Sequence, residues 1–207
     1  MQVTRVLHDF YDSDPKRGFY GGGGIDARIN PVPLGLPLFG LPPEISWGAP
    51  LKRALRDMPR TMFVNSHTTS LALEHNSVSI DPELKDTWGV PSMRVTYKDH
   101  ADDLAIANWL NEWGHAILDA AGATRTWKMP VSEWINSPHL LGTCRMGDDP
   151  VKSVVDRHHR SHDIPNLFVC DGSSMVTSGR GQPTMTIQAL AFRAGEHIAR
   201  FARRGEI

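Results

Sequence analysis

The pattern of apolar and polar positions divides the chain into a loop-like opening, a strand-rich stretch, two amphipathic helices and a glycine-marked segment between them. Met62-Phe-Val-Asn65 reads as a short strand. Ser77-Val-Ser-Ile-Asp81 alternates and stops at the turn former Asp81-Pro82, and Met93, Val95 and Tyr97 alternate with Ser92, Arg94 and Thr96. Together these predict an antiparallel sheet with one wet face. The period then changes. Ile106, Leu110, Trp113 and Ile117 recur at helical spacing, with Asp102 and Asp103 in the first turn and Gly122 at the end, which predicts a helix over 100–121. Gly114 is a blemish in it, and Trp109 and Trp113 read as core or interface. A second helix is predicted over 184–203, with Ile187, Leu190, Ala191, Ala194, Ile198 and Phe201 on one face, Thr184 as N-cap and Arg200, Arg203 and Arg204 near its end. Ser153-Val-Val-Asp156 fits a very short strand. Ile164 to Cys170 fits a buried parallel strand that runs into Asp171-Gly-Ser-Ser, as such strands run into ligand loops.

The opening reads as loop. Pro31, Pro33, Pro37, Pro42 and Pro43 punctuate it, and Gly21 to Gly24 has no Gly-Lys-Ser/Thr after it, so a turn or close backbone crossing is a better reading than a phosphate loop. Composition narrows the field little further. The chain has 207 residues, 22 Lys plus Arg against 23 Asp plus Glu and a net charge of −1, which argues against a nucleic-acid binder or a polybasic membrane-surface protein. At 40% hydrophobic and 22% charged it has the composition of a soluble globular domain. Two cysteines do not make a disulfide framework, and neither a signal-peptide pattern nor a bilayer-length apolar run is evident. The expectation is a soluble chain, cytoplasmic or periplasmic.

Three motifs can carry chemistry. In His139-Leu-Leu-Gly-Thr-Cys-Arg-Met-Gly147 a loop imidazole, suited to general-base work, precedes two glycines that let backbone approach a ligand. Asp171, just after an apolar segment, can accept a hydrogen bond from a sugar or ribityl hydroxyl, or simply begin a turn. Gly181-Gln-Pro-Thr-Met-Thr186 opens the last helix, whose N-terminus attracts negative charge. His158, His159 and His162 raise a metal-site reading, but Arg157 and Arg160 would repel a cation and a solvated loop fits better. Asp171-Gly-Ser-Ser lacks the nucleophile elbow of a serine hydrolase, and Cys144 with His139 lacks a supporting motif for a thiol enzyme.

Taken in order, His139 to Gly147, Val154-Val-Asp156, Asn166-Leu-Phe-Val-Cys-Asp-Gly-Ser173 and Gly181 to Ala191 resemble the C-terminal signature of the glucose–methanol–choline (GMC) oxidoreductases, flavoenzymes that oxidise alcohols and sugars. Asp81-Pro-Glu-Leu-Lys-Asp-Thr-Trp-Gly-Val-Pro91 resembles the sugar- and gluconate-dehydrogenase branch. The resemblance implies an α/β protein with a substrate-side antiparallel sheet and flanking helix, then the closing strand-loop-helix of an FAD domain. It divides the chain into a substrate-domain portion over 1–130 and a catalytic, FAD-contacting segment over 131–207. It implies FAD as cofactor and His139 as the base. Gln182 stands at the second active-site position, where the family usually has His or Asn. Asp171, Gly172, Gln182, Pro183 and Thr184 would touch the flavin. The implied substrate is a sugar, polyol or sugar acid, and the implied electron acceptor is a haem subunit or quinone. The family's Gly-x-Gly-x-x-Gly unit does not occur in this sequence, which implies that an N-terminal FAD-binding half is needed as partner. The alternative is a non-catalytic remnant of the same fold that holds no flavin.

Overall fold

A computed structural model describes residues 2–29, 40–42, 44–131 and 139–207. Pro31, Pro33, Pro37 and Pro43, and residues 132–138 of the signature region, lie outside the described residues. The chain is a mixture of helices and antiparallel sheets and divides into two compact units. One comprises residues 1–69 and 101–132, the other residues 70–100 and 133–207.

The first unit holds strands β1 (Gln2–Leu7), β2 (Gly23–Ile29) and β3 (Met62–Thr68) in one antiparallel sheet, with helices α1 (Gly48–Asp57) and α2 (Ala101–Ala120). The opening is therefore not loop as expected: it contains β1, β2 and α1. Pro50 disguises α1, yet it falls in the first turn, where a missing N–H costs nothing. The glycine run is the close crossing that the sequence favoured. A Cβ on Gly22 would sit 2.1 Å from the Tyr11 carbonyl oxygen, and one on Gly23 would sit 2.6 Å from that of His67.

The core of this unit joins Ile25 to Ile106 and Leu110, with Leu7, Phe10, Phe19, Val64, Trp109 and Ile117 packed around them. Gly114 is no blemish, because α2 approaches β3 there: an added Cβ would lie 3.2 Å from Val64 Cγ1. Trp109 packs edge-on against Phe10 with ring centres 4.8 Å apart, and Trp113 leans on Phe10 at 5.0 Å, as the core-or-interface reading required. Away from this core, Asp26 is buried and accepts from Arg28 Nη2 at 2.6 Å and His67 Nε2 at 2.8 Å. Burial alone would raise the Asp26 carboxyl, but these two partners hold it below the ordinary range.

The second unit holds the ribbon β4 (Ser77–Lys85) and β5 (Pro91–Thr96), and the long helix α3 (Thr184–Arg204). β4 does not stop at Asp81-Pro82. Asp81 takes the amides of Glu83 and Leu84, each at 2.9 Å, plus the Arg94 guanidinium, and so carries the strand through an irregular register to Lys85. Nor does the ribbon join β3. Val78 pairs with Val95 and Ile80 with Met93, and this apolar face is exposed, as is most of the polar one. The segment before Asp171 is likewise not a buried parallel strand among the described residues. Phe168 forms an antiparallel bridge with Arg160, while Ile164 and Leu167 are exposed. Val155, fully buried, bridges both Met146 and Ser161, so the short strand expected around it is real but minimal.

The three clustered histidines face three ways. His158 stacks on His197 of α3 with ring centres 4.0 Å apart, His162 Nε2 meets Ser153 and the Gly147 carbonyl, and His159 is 1% exposed. The solvated-loop reading therefore fails for His159. No group of three or more His, Cys, Asp or Glu able to hold a metal occurs among the described residues. No described helix is long and apolar enough to cross a membrane.

The His158–His197 stack has a pH signature. Desolvation, then the positive surroundings of His158, Arg200 and Arg160, hold His197 below the ordinary imidazole value, and Asp156 only partly opposes them. The unfolded chain then binds more protons than the folded one, so stability is fully present above the unfolded value of 6.5 and is lost as pH falls below it. The melting temperature should drop between about pH 7.5 and about pH 5.5, and less steeply in His197→Phe, which keeps a ring against His158. Equal slopes in the two proteins would contradict this account.

Candidate functional site

Three motifs that are far apart in the sequence meet in the second unit. The chain leaves Val169 and Cys170 and turns at Asp171, which is the N-cap of a single 3₁₀ turn, Gly172–Ser174. The Asp171 carboxylate accepts the Ser173 amide at 2.8 Å and also the Ser173 hydroxyl. These two bonds, hydroxyl first, keep the acid below the ordinary carboxylate range. Buried Ser174 ties the turn from beneath by donating its hydroxyl to the Asp171 carbonyl at 2.8 Å.

The segment after His139 zips onto this turn through its main chain. Gly142 N–H donates to the Gly172 carbonyl at 3.4 Å, Cys144 to that of Ser173 at 2.9 Å, and Met146 to that of Ser174 at 2.8 Å. Gly142 takes φ +89°, which a side chain would resist, and its Cβ position faces the Met175 carbonyl oxygen at 3.4 Å. The third motif closes from the helix. Ile187, in the first turn of α3, and Leu141 both reach the hydrogen side of Gly172, where an added Cβ would lie 3.0 Å from Ile187 Cδ1 and 2.7 Å from Leu141 Cδ2. The Leu140 carbonyl oxygen is 3.5 Å from the same point.

Each predicted site residue can now be placed. His139 is half-buried at the head of the zipped segment. Asp171 is exposed and caps the turn, and Gly172 is its first residue. Pro183 is buried and is itself the N-cap of α3, so Thr184 is the first helical residue and not the cap as predicted. Its φ of −83° suits a helix start, and Ile187 N–H makes the first helical bond to its carbonyl at 3.0 Å. Gln182 and Thr184 are exposed beside it. The N–H groups that open α3 have no acceptor within the helix, and the summed dipole makes this end positive. The sequence did not identify Gly142, Leu141 and Ile187 as the parts that bring these pieces together. The glycine's spacing from His139 was the available signal for the first.

Two other features do not belong to this arrangement. A cavity of about 370 Å³ lies along Arg145, Asp148, Lys152 and Val176 and takes in none of the predicted site residues. Burial, then the charge of Asp171, pushes the Cys170 thiol up, away from the thiolate a nucleophile needs.

Comparison with known proteins gives this arrangement its class. The family model described as GMC oxidoreductase matches residues 72–191. The chain belongs to the GMC oxidoreductase family. It is 37% identical over 201 residues to 2-methyl-1,2-propanediol dehydrogenase of Mycolicibacterium austroafricanum, which covers 93% of this chain and 35% of that relative. It is 29% identical over 203 residues to the gluconate 2-dehydrogenase flavoprotein of Pantoea cypripedii, covering 92% of this chain and 32% of that relative. It is 30% identical over 132 residues to the fructose dehydrogenase large subunit of Gluconobacter japonicus, covering 63% of this chain and 24% of that relative. The chain thus spans about a third or less of the length of these relatives.

Closure at Gly172 is testable. Gly172→Ala needs only the tips of Leu141 and Ile187 to move, and should cost about 1 kcal/mol. Gly172→Val adds branches that those tips cannot clear together, and should cost about 2–3 kcal/mol. Urea denaturation of both variants checks this. A valine variant as stable as wild type would show that the motifs do not close on this residue.

Proposed function

We propose that this chain is the C-terminal part of an FAD-dependent oxidoreductase that oxidises a CH–OH group of a sugar, polyol or sugar acid, with His139 as the base. The observation that carries the reading is the convergence, in a GMC-family chain, of the His139 segment, the Asp171–Gly172 turn and the head of α3.

The residues fit the flavin end of the cofactor. Pro183 leaves the positive head of α3 with no side-chain cap, and Gln182 and Thr184 stand exposed beside it. Asp171, Gly172, Gln182, Pro183 and Thr184 would hold the group, and its adenosine end would rest on an N-terminal FAD-binding half supplied by the longer family polypeptide. FAD, when bound, supplies a two-electron acceptor. His139 takes the proton of the substrate hydroxyl on a ring nitrogen, which makes the carbon–hydrogen bond of that carbon easier to break. Gln182 can donate and accept but cannot take up a proton at neutral pH, so it orients the hydroxyl and leaves proton transfer to His139. The positive end of α3 favours the negative charge that develops in front of it, without reorganisation during the reaction. A haem subunit or quinone would take the electrons onward. The names of the relatives, dehydrogenases of a diol, of gluconate and of fructose, support the substrate class.

The test is anaerobic single-turnover flavin reduction in enzyme reconstituted with an N-terminal FAD-binding half. His139→Ala should slow reduction by about 10²–10⁴-fold with little change in substrate affinity, and Gln182→Ala should slow it less. Unchanged reduction in His139→Ala, with only its melting temperature lowered, would make His139 a packing residue and end the assignment.

A further inference from the structure

Among the described residues, His159 alone of the non-glycines has a positive φ, +68°. The left-handed bend is held on both sides. The Asp156 carboxylate accepts the amides of His158 at 2.7 Å and Arg160 at 3.0 Å, and the Asp156 carbonyl accepts that of His159 at 3.0 Å. Such a conformation costs free energy and persists only where its surroundings fix it. The bend has a second effect. At a hydrogen-bonded position of an antiparallel pair a residue gives its partner both an N–H and a C=O. His159 still gives its C=O, which accepts the Val169 amide at 2.9 Å, but its own N–H has been turned away to Asp156. The ring takes over the missing half: His159 Nδ1 lies 2.9 Å from the Val169 carbonyl oxygen. A carbonyl only accepts, so Nδ1 carries the hydrogen. Nε2 is buried and has no hydrogen-bond partner among the described residues.

We propose that His159 is a positioning residue for the Asp171–Gly172 turn: its main-chain carbonyl and its imidazole Nδ1–H clamp Val169 from both of its polar groups, and so fix where the chain enters the turn. Val169 stands two residues before Asp171, too few for an error in its placement to be absorbed. An apolar side chain at 159 would fill the space and leave the half-buried Val169 carbonyl without its donor. The clamp stands on this geometry alone. Its relevance to catalysis rests on the flavin reading given above.

The experiment uses the 207-residue chain. Two-bond proton–nitrogen spectra of ring-labelled histidine should show His159 protonated on Nδ1 and bare on Nε2. His159→Asn puts an amide nitrogen where Nδ1 stands and tolerates a left-handed backbone, whereas His159→Leu offers no donor. Hydrogen exchange at the Val169 amide should stay within about twofold of wild type in the Asn variant and be about tenfold faster in the Leu variant. With an N-terminal FAD-binding half and FAD added, the visible flavin spectrum should be that of wild type in the Asn variant and shifted in the Leu variant. Protonation on Nε2, an Asn variant as perturbed as the Leu variant, or a Leu variant with wild-type exchange would overturn the clamp. A wild-type flavin spectrum in the Leu variant would overturn its role in positioning. Failure of wild type to bind FAD would count against the flavin reading, while the tautomer and the exchange rates would still decide the clamp.

Discussion

The arrangement depends on how closely two side chains can approach the main chain at residue 172. Leu141 and Ile187 come from segments separated by more than forty positions, and both reach the space where any other residue would carry a Cβ. Once they meet there, the remaining contacts follow from main-chain chemistry. The amides of Gly142, Cys144 and Met146 find the carbonyls of Gly172, Ser173 and Ser174, and the side chain of Asp171 satisfies the turn that those carbonyls leave. Burying these backbone groups without partners would cost more than the few apolar contacts return, so the ladder and the closure stand or fall together.

Much of this was legible in the sequence, for identifiable reasons. α2 and α3 announce themselves through long apolar stripes, and both were placed to within a residue at their helical starts. The site motifs were legible because Gly, Pro and Asp at fixed places mark backbone requirements that few other residues meet. What was missed has equally physical causes. β1 hides behind a register shift between Val3 and Arg5 that breaks its alternation, and β2 hides because it opens on glycines that read as a turn. α1 hides behind a proline that its first turn tolerates. β4 runs through a proline because Asp81 supplies the bonds that keep it extended. By sequence His159 belongs to a solvated loop, since nothing in Arg157-His-His-Arg160 reveals that a left-handed bend turns one ring inward.

Family membership and local geometry constrain the chemistry differently. The family match covers residues 72–191 and places the chain in the GMC oxidoreductase family, while its relatives run about three times its length. The geometry shows how this segment is built: a turn on whose glycine two side chains close, an acid kept ionised by the hydroxyl and amide of the same serine, and a helix whose positive end has no side-chain cap. Under the proposed function the helix end is preorganised, needing no movement to meet a developing negative charge. Under the proposed function Gln182, at a position where the resemblance implies His or Asn, takes up no proton and leaves proton transfer to His139.

The central claim is that this chain supplies one side of a flavin cleft and that the other side comes from an N-terminal half. It is tested most directly by equilibrium titration of FAD against the purified 207-residue chain, first alone and then with that half added in equimolar amount. The account predicts binding weaker than a Kd of about 1 μM, or about −8 kcal/mol, for the chain alone, and binding well below that Kd for the mixture. Micromolar or tighter binding by the chain alone, or no gain in the mixture, would contradict it.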